Sequence, residues 1–464
     1  MSNQTWILQG PLWTRSGYGS WAETIGKSLL RYIKDKPIDL YVAPTVWGAC
    51  SKKNMDSEIN DSEGRELLNR ILKTPLQRQP EVFIQMTIPM EFSAPAKFNI
   101  GMTAGIESTT PRAEWLEHMN LMNLNIVLSK FNKDVFAAAN YNKKLPNGLS
   151  EELKVRSPME TLFWGADTKI YKKTTDKIES VENTLITIPE SFAFLFVGQW
   201  THGNMRADRK AIGFLIKTFL EAFANVPNPP CLILKTSGAQ ICVMDRYDCI
   251  TKINDVTNMV KSSMPTATLP NVYLLHGELE DNEMNALYNH EKVKAHISFV
   301  HGEGFGHPLL LATLSGKPLF APKWSGHLDF LNPKYANLLE GNLNPIPDEA
   351  LNQWFVAQAR WFDTDYQAAG IKMKNIFNHY EDYLSNAEKL RLENMEKFSI
   401  QAMDKEFHAL LDKYIPKFST EQPIILPKLK KLNLPKATSA TDGGAVPNEP
   451  STTKSTSETT LTKV

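Results

Sequence analysis

The sequence predicts an α/β protein made of two Rossmann-like domains in tandem. Three observations carry this expectation. A chain of 464 residues is too long for one ordinary core. Short apolar, β-rich runs alternate with amphipathic stretches, the pattern of βα units in a parallel sheet. That alternation occurs twice, on either side of a segment near residues 140–190 that is rich in lysine, proline, asparagine and threonine.

In the first series, β-rich runs predict strands over 5–9, 38–43, 82–86, 98–102 and 125–129. Helices are expected over 18–32, where Trp21, Ile25, Leu29 and Ile33 recur at spacings of three and four, and over 131–140. These elements define a first domain over 1–150 and leave 151–190 as a linker, interrupted by the apolar Leu162-Phe163-Trp164. The second domain, 191–345, is expected to hold strands over 192–197, 231–235, 272–276, 294–300 and 318–321. Its helices are expected over 208–223, 281–288 and 308–315. Residues 346–434 read as polar surface helices packing back on the first domain, with Leu351, Trp354, Phe355 and Trp361 at helical spacing. The Ser/Thr-rich stretch 435–464 cannot build a core and is expected to be disordered.

Composition narrows the function. Lysine plus arginine and aspartate plus glutamate each number 51, so no global field draws the chain to nucleic acid or anionic lipid, and polyanion binding must be local. Lys143-Lys144 and Lys428-Leu-Lys-Lys are only small basic patches. Cys50, Cys231, Cys242 and Cys249 form no CxxC pair and lack histidines at zinc-finger spacing, which argues against a disulfide framework or structural zinc. No apolar run reaches the length of a membrane span and no signal-like N-terminus is visible, so a soluble, cytoplasmic protein is expected.

The densest chemical signal is His301-Gly302-Glu303-Gly304-Phe305-Gly306-His307-Pro308, after one expected strand and before a helix. Glycines there let backbone approach a ligand, and a following helix N-terminus favours phosphate. Glu303 could hydrogen-bond sugar hydroxyls; the alternative is a Gly-rich turn with a capping acid. A metal site on His301, Glu303 and His307 is disfavoured because the HExxH pairing is missing.

Glu303-Gly-Phe-Gly-His-Pro-Leu-Leu-Leu-Ala, followed by Ser315-Gly-Lys-Pro318, resembles the EGFGxPxxEAxxxGxPV signature of retaining GT-B glycosyltransferases of family 4. Other segments agree in order. Phe196-Val-Gly198-Gln199-Trp200 resembles the "VGR" strand end, Asp208-Arg209-Lys210 the following "RKG", and Leu162 to Thr168 the "NGVDT" before the interdomain linker. Val127-Leu-Ser-Lys-Phe131 resembles the last strand of the acceptor domain.

The resemblance implies a GT-B fold, with Rossmann-like domains facing across a cleft, and transfer of a hexose or pentose from a nucleoside diphosphate sugar with retention. No cofactor or metal is implied. Glu303, Lys210 and Arg209 would be catalytic, the cations on the pyrophosphate and the carboxylate on the sugar; surface-helix cations are the alternative for the basic pair. Gly198, Gln199, Gly304, Phe305 and Gly306 would line the donor, with a core plug the alternative for Phe305. Gly17 and Gly19, in a loop facing the donor phosphates, join them unless they form a plain turn. Tyr18 and Glu107 are acceptor-side candidates, Glu107 alternatively as a helix N-terminal acid. The sequence departs from the pattern at Leu311, where the family has a ribose-binding glutamate, and at Gln199, where it has an arginine; His202, Arg206 and His301 could compensate. These departures leave open a degenerate GT-B domain that binds without turnover. Segments around Gly17, Gly105 and His301 also resemble glycosyltransferases of tailed bacteriophages, making 5-hydroxymethylcytosine in DNA the leading acceptor, with glycan or protein hydroxyls as alternatives.

Overall fold

β-rich runs whose side chains are buried on both faces line up as parallel strands, and the amphipathic stretches between them cover the sheets. The computed structural model describes residues 3–55, 59, 61–144, 148–200, 205–238, 241–352 and 354–418. Its first half runs β1 (Gln4–Gly10), α1 (Gly17–Ile33), β2 (Ile38–Pro44), α2 (Ser62–Asn69), β3 (Val82–Met86), β4 (Phe98–Thr103), α3 (Ala113–Met119), β5 (Leu124–Val127), α4 (Lys130–Ala138), the hairpin β6 (Tyr141–Lys144) and β7 (Ser150–Leu153), and β8 (Met159–Thr161). The second runs α5 (Glu179–Leu185), β9 (Ala193–Val197), α6 (Ile212–Phe223), β10 (Cys231–Lys235), α7 (Val243–Ser263), β11 (Val272–Leu275), α8 (Asp281–Asn289), β12 (Val293–Ile297), α9 (His307–Thr313), β13 (Leu319–Pro322) and β14 (Asn337–Leu339). The hairpin β15 (Gly341–Pro345) and β16 (Arg360–Thr364) follows, then α10 (Tyr366–Asn378), α11 (Tyr380–Lys397) and α12 (Ile400–Tyr414).

Among the described residues the strands form two parallel sheets, in the orders β2-β1-β3-β4-β5-β8 and β11-β10-β9-β12-β13-β14. Strand order reverses between β1 and β3 and between β9 and β12, and ligands of open α/β sheets bind at the carboxyl ends of strands beside such points. Local chemistry sets the helix starts: Ser16 caps α1 by accepting from the Gly19 amide at 3.0 Å, and Ser129 caps α4.

Several expectations need correction. β8 pairs with β5, so the first sheet runs past the boundary at 150; a three-residue strand carries no usable period. The expected linker holds β8 and α5. The helix expected over 208–223 starts at Ile212, because the Asp208 carboxylate accepts the Lys210 and Ile212 amides at 3.0 and 2.8 Å and makes a turn of the preceding residues. The strand expected over 294–300 stops at Ile297, releasing the following residues as a long loop. Trp361 lies on strand β16, and Leu351, Trp354 and Phe355 gather around it in a satellite cluster rather than along a helix. Among the C-terminal helices, α12 lies against α1 of the first domain, whereas α10 lies on α6 and α11 on α9. Residues 419–434 and the tail 435–464 lie outside the described residues.

The docking of α12 is pH-sensitive in a defined direction. The Glu160 carboxylate accepts from Tyr414 Oη at 2.6 Å and Lys413 Nζ at 2.9 Å of α12, and from Lys133 Nζ at 3.2 Å. The hydrogen bonds from Tyr414 and Lys413 outweigh burial and hold its pKa down at about 2, against an ordinary 4.5. A depressed pKa contributes stability fully above the unfolded value and loses it as pH falls through the folded one. Protection of the amides over 400–414 against exchange, relative to their intrinsic rates at each pH, should therefore fall between pH 4.5 and 2. A Glu160→Gln variant that shows the same loss of protection would refute this assignment.

Candidate functional site

The site grows from the carboxyl end of the second sheet. After β12 the chain becomes the loop 298–306, which enters α9 through Gly306 at φ +86°, a conformation that favours glycine. α9 has seven residues with Pro308 in its first turn, so it offers less to an anion than the longer helix expected. Beside this loop, the Asp208 turn at the entry to α6 presents two cations: Lys210 Nζ pairs with Glu303 Oε1, and Arg209 Nη1 lies 3.9 Å from Glu303 Oε2 while donating to the Gly302 carbonyl at 3.0 Å. Ser325 Oγ accepts the Glu303 amide at 2.9 Å. Glu303 is 9% exposed. Burial works against its charge, yet Lys210 and Arg209 together hold its carboxyl below the ordinary carboxylate range.

The first domain closes the other side. Arg209 Nε pairs with Glu107 Oε2 at 2.8 Å, Asn132 Nδ2 donates to the Gly304 carbonyl at 2.8 Å, and the Lys130 amide donates to Asp329 at 2.9 Å. Arg15, in the loop after β1, pairs with Glu278. The approach is so close that a Cβ at Gly302 or Gly304 would overlap the carbonyl oxygen of Glu107 or Ala104. Burial pushes the Glu107 carboxyl above its ordinary value against the pull of Arg209, and nearby Glu303 adds to the rise. Trp164, in the crossover after β8, stacks on His307 with ring centroids 3.7 Å apart.

The residues singled out in the sequence thus separate into groups. Glu303, Lys210, Arg209, Glu107 and the Gly304 backbone come together. Tyr18 stands next to them: its hydroxyl meets Thr103 Oγ1 at 3.0 Å and accepts the Ala104 amide at 2.8 Å, while its ring stacks on Trp47. Gly17, in the first turn of α1, lies near Trp164. Gly19, in the first turn of α1, is packed against Thr14, and its amide is taken by Ser16. Phe305 is 2% exposed and packs against Phe330, the core placement the sequence also allows. Gly198 and the exposed Gln199 sit at the end of β9. Leu311 is buried in the core, as a leucine on an inward helix face should be, and offers nothing to a ribose.

His301 is fixed by its neighbours through Nδ1 and its ring face. Its ring is buried, stacked on Trp361 at 4.1 Å, with Nδ1 close to two acceptors, the Phe362 carbonyl at 2.9 Å and Asp363 Oδ1 at 3.0 Å. Arg206 faces Glu349 at 3.6 Å, and His202 lies outside the described residues. Sequence reasoning missed Asn132, Arg15, Ser325 and a group on the same sheet edge as Gly198: Lys235 Nζ donating to the Gly277 carbonyl at 2.6 Å and His276 Nε2 paired with Asp245 Oδ2 at 2.6 Å. Only Asn132, a polar residue in the first turn after a strand, carried a local signal. Among the described residues no group of three or more His, Cys, Asp or Glu could hold a metal ion, and no helix is long and apolar enough to cross a membrane.

No protein-family model matches the chain, and no curated protein sequence matches it. Solved structures do. The chain is similar to Anabaena Alr3699/HepE in complex with UDP and glucose, with a TM-score of 0.53 and 11% identity, covering 89% of this chain and 100% of that one. It is similar to a glycosyltransferase from Rickettsia africae ESF-5, at TM-score 0.55 and 12% identity over 89% and 99% of the two chains. An E. coli trehalose-6-phosphate protein bound with UDP-2-fluoro glucose gives a TM-score of 0.56 and 9% identity over 89% and 100%. At such identities the likeness is one of fold, and the chain has the two-domain GT-B architecture of these neighbours.

Proposed function

We propose that the chain transfers a hexose or pentose from a nucleoside diphosphate sugar to an acceptor hydroxyl, with retention at the anomeric carbon. One observation carries the reading: Arg209 and Lys210 converge on the buried Glu303 at the carboxyl edge of the second sheet, facing the first domain. Two cations there can neutralise charge growing on a departing diphosphate, and a carboxylate held ionised beside them can hold the sugar's hydroxyls and stabilise a cationic anomeric centre. Neighbours of the same fold hold UDP, UDP and glucose, or UDP-2-fluoro glucose, which supports this donor class. With leucine at 311, ribose must be met by other groups on this rim.

Lys210→Ala is expected to weaken binding of UDP, and raising salt should shrink the difference between variant and parent because part of the attraction is Coulombic. Calorimetry reads both. A variant that binds UDP as tightly as its parent would return Lys210 to an ordinary surface-helix role.

For the acceptor, the loop resemblance supports 5-hydroxymethylcytosine in DNA. A neutral glycan is the second reading, favoured by the carboxylates of Glu91 and Glu107 that bear on the Tyr18 hydroxyl and by the formal net charge of zero. A DNA acceptor must be held by its phosphates, so its affinity should fall steeply with salt, whereas a glycan's should not. Labelled sugar on hydroxymethylated but not unmodified DNA would support the first; label on neither DNA, with label on an oligosaccharide, would reject it.

A further inference from the structure

Both cations of the donor site already have anionic partners. Lys210 is matched by Glu303 of its own domain, and Arg209 by Glu107 of the opposite one. The second pairing differs from the first in kind. Glu303 belongs to the loop that also presents the glycine backbone, whereas Glu107 follows β4 of the first domain and reaches Arg209 across the cleft. The guanidinium has Nε on Glu107 at 2.8 Å and Nη1 on the Gly302 carbonyl at 3.0 Å. A diphosphate engages arginine through the same fork of N–H groups, so it needs the edge that Glu107 holds.

We infer that Glu107 is a resident counter-anion of the diphosphate site: it occupies the anion-binding edge of Arg209 until the donor's diphosphate displaces it. The inference rests on the donor reading above. Its physical content is a competition between two anions for one guanidinium, in which each weakens the hold of the other. Displacement has a consequence on the acceptor side. A carboxyl group released from Arg209 stays beside Tyr18, whose hydroxyl is fixed by Thr103 and Ala104, and is free to hydrogen-bond an incoming hydroxyl. The burial that pushes Glu107 above its ordinary carboxyl range makes its charge costly to keep without a cation, which suits a group that exchanges partners.

Titration of UDP, and separately of inorganic pyrophosphate, into the wild type, Glu107→Gln and Glu107→Ala tests this. Removing the competing charge should tighten both ligands about tenfold, the scale of one charge-assisted hydrogen bond. The gain should shrink as salt rises, since the variants meet the anion with one more uncompensated positive charge. A residue that merely supported the loop would weaken binding when replaced. Equal or weaker binding of both ligands by folded variants overturns the counter-anion role. Pyrophosphate gained by the variants with no UDP bound by any form upholds the role and rejects the donor reading, and no binding of either ligand by any form rejects both.

Discussion

Glu303→Gln is expected to lower turnover by about 10²-fold or more, the scale for one electrostatic contact made in a transition state. Glutamine keeps the shape, can still accept from Lys210, and still donates its backbone amide to Ser325 Oγ, so the loop should stay folded. What it removes is a charge that the surrounding cations hold in place despite burial, next to a centre that becomes cationic. Donor affinity should not fall with turnover, because Lys210 and Arg209 lose a competing anion. Wild-type rates in a folded variant would reject the assignment of Glu303, and a loss confined to donor binding would make it a ligand of the bound donor with no special part in the transition state.

Trp361→Ala should destabilise the second domain by about 3–5 kcal/mol, the range for deleting a large buried aromatic side chain. The indole is 1% exposed, stacks on His301 and meets Phe355 edge-on. His301 in turn donates its amide to the Arg209 carbonyl at 2.9 Å, so the cavity lies under the turn that aims both cations. Turnover should fall along with stability, and Trp361→Phe should recover most of both by keeping a ring against the imidazole. Urea unfolding monitored in the second domain gives the free energy; a cost below about 1 kcal/mol would mean the site's floor is not built on this stack.

Apart from the edge strands β8 and β14, the strands of both sheets were legible because a parallel sheet buried on both faces writes itself as continuous apolar runs. Two of them, 82–86 and 231–235, are bounded as the sequence suggests. The helix α7 was hidden although Cys249, Ile253, Val256 and Val260 fall on one face, because Val243, Met244 and Tyr247 are exposed and polar residues fill the rest. β8 and the β15–β16 hairpin were hidden because their pairing partners, not their own residues, make them strands. At the site, the motif exposed Glu303, Arg209 and Lys210 together, since one loop and one turn carry them. The pairing of Arg209 with Glu107, and the stack of His301 on Trp361, join segments far apart in sequence, and no local spacing encodes such contacts. Gly19 and Phe305 stay two-sided for the opposite reason: a glycine or aromatic residue needed for packing has the same letters as one needed for a ligand.

The most direct test of the account is proton NMR of a nucleotide sugar incubated with the chain in the absence of acceptor, with UDP-glucose as first probe and GDP- and ADP-glucose beside it. A retaining transferase with water as a poor acceptor should release glucose slowly, seen first as the α-anomer from an α-linked donor, and Glu303→Gln should slow the release by about 10²-fold or more. Intact donor after prolonged incubation with folded protein that binds UDP would make the chain a nucleotide-binding GT-B domain without turnover. Release first as the β-anomer would contradict retention.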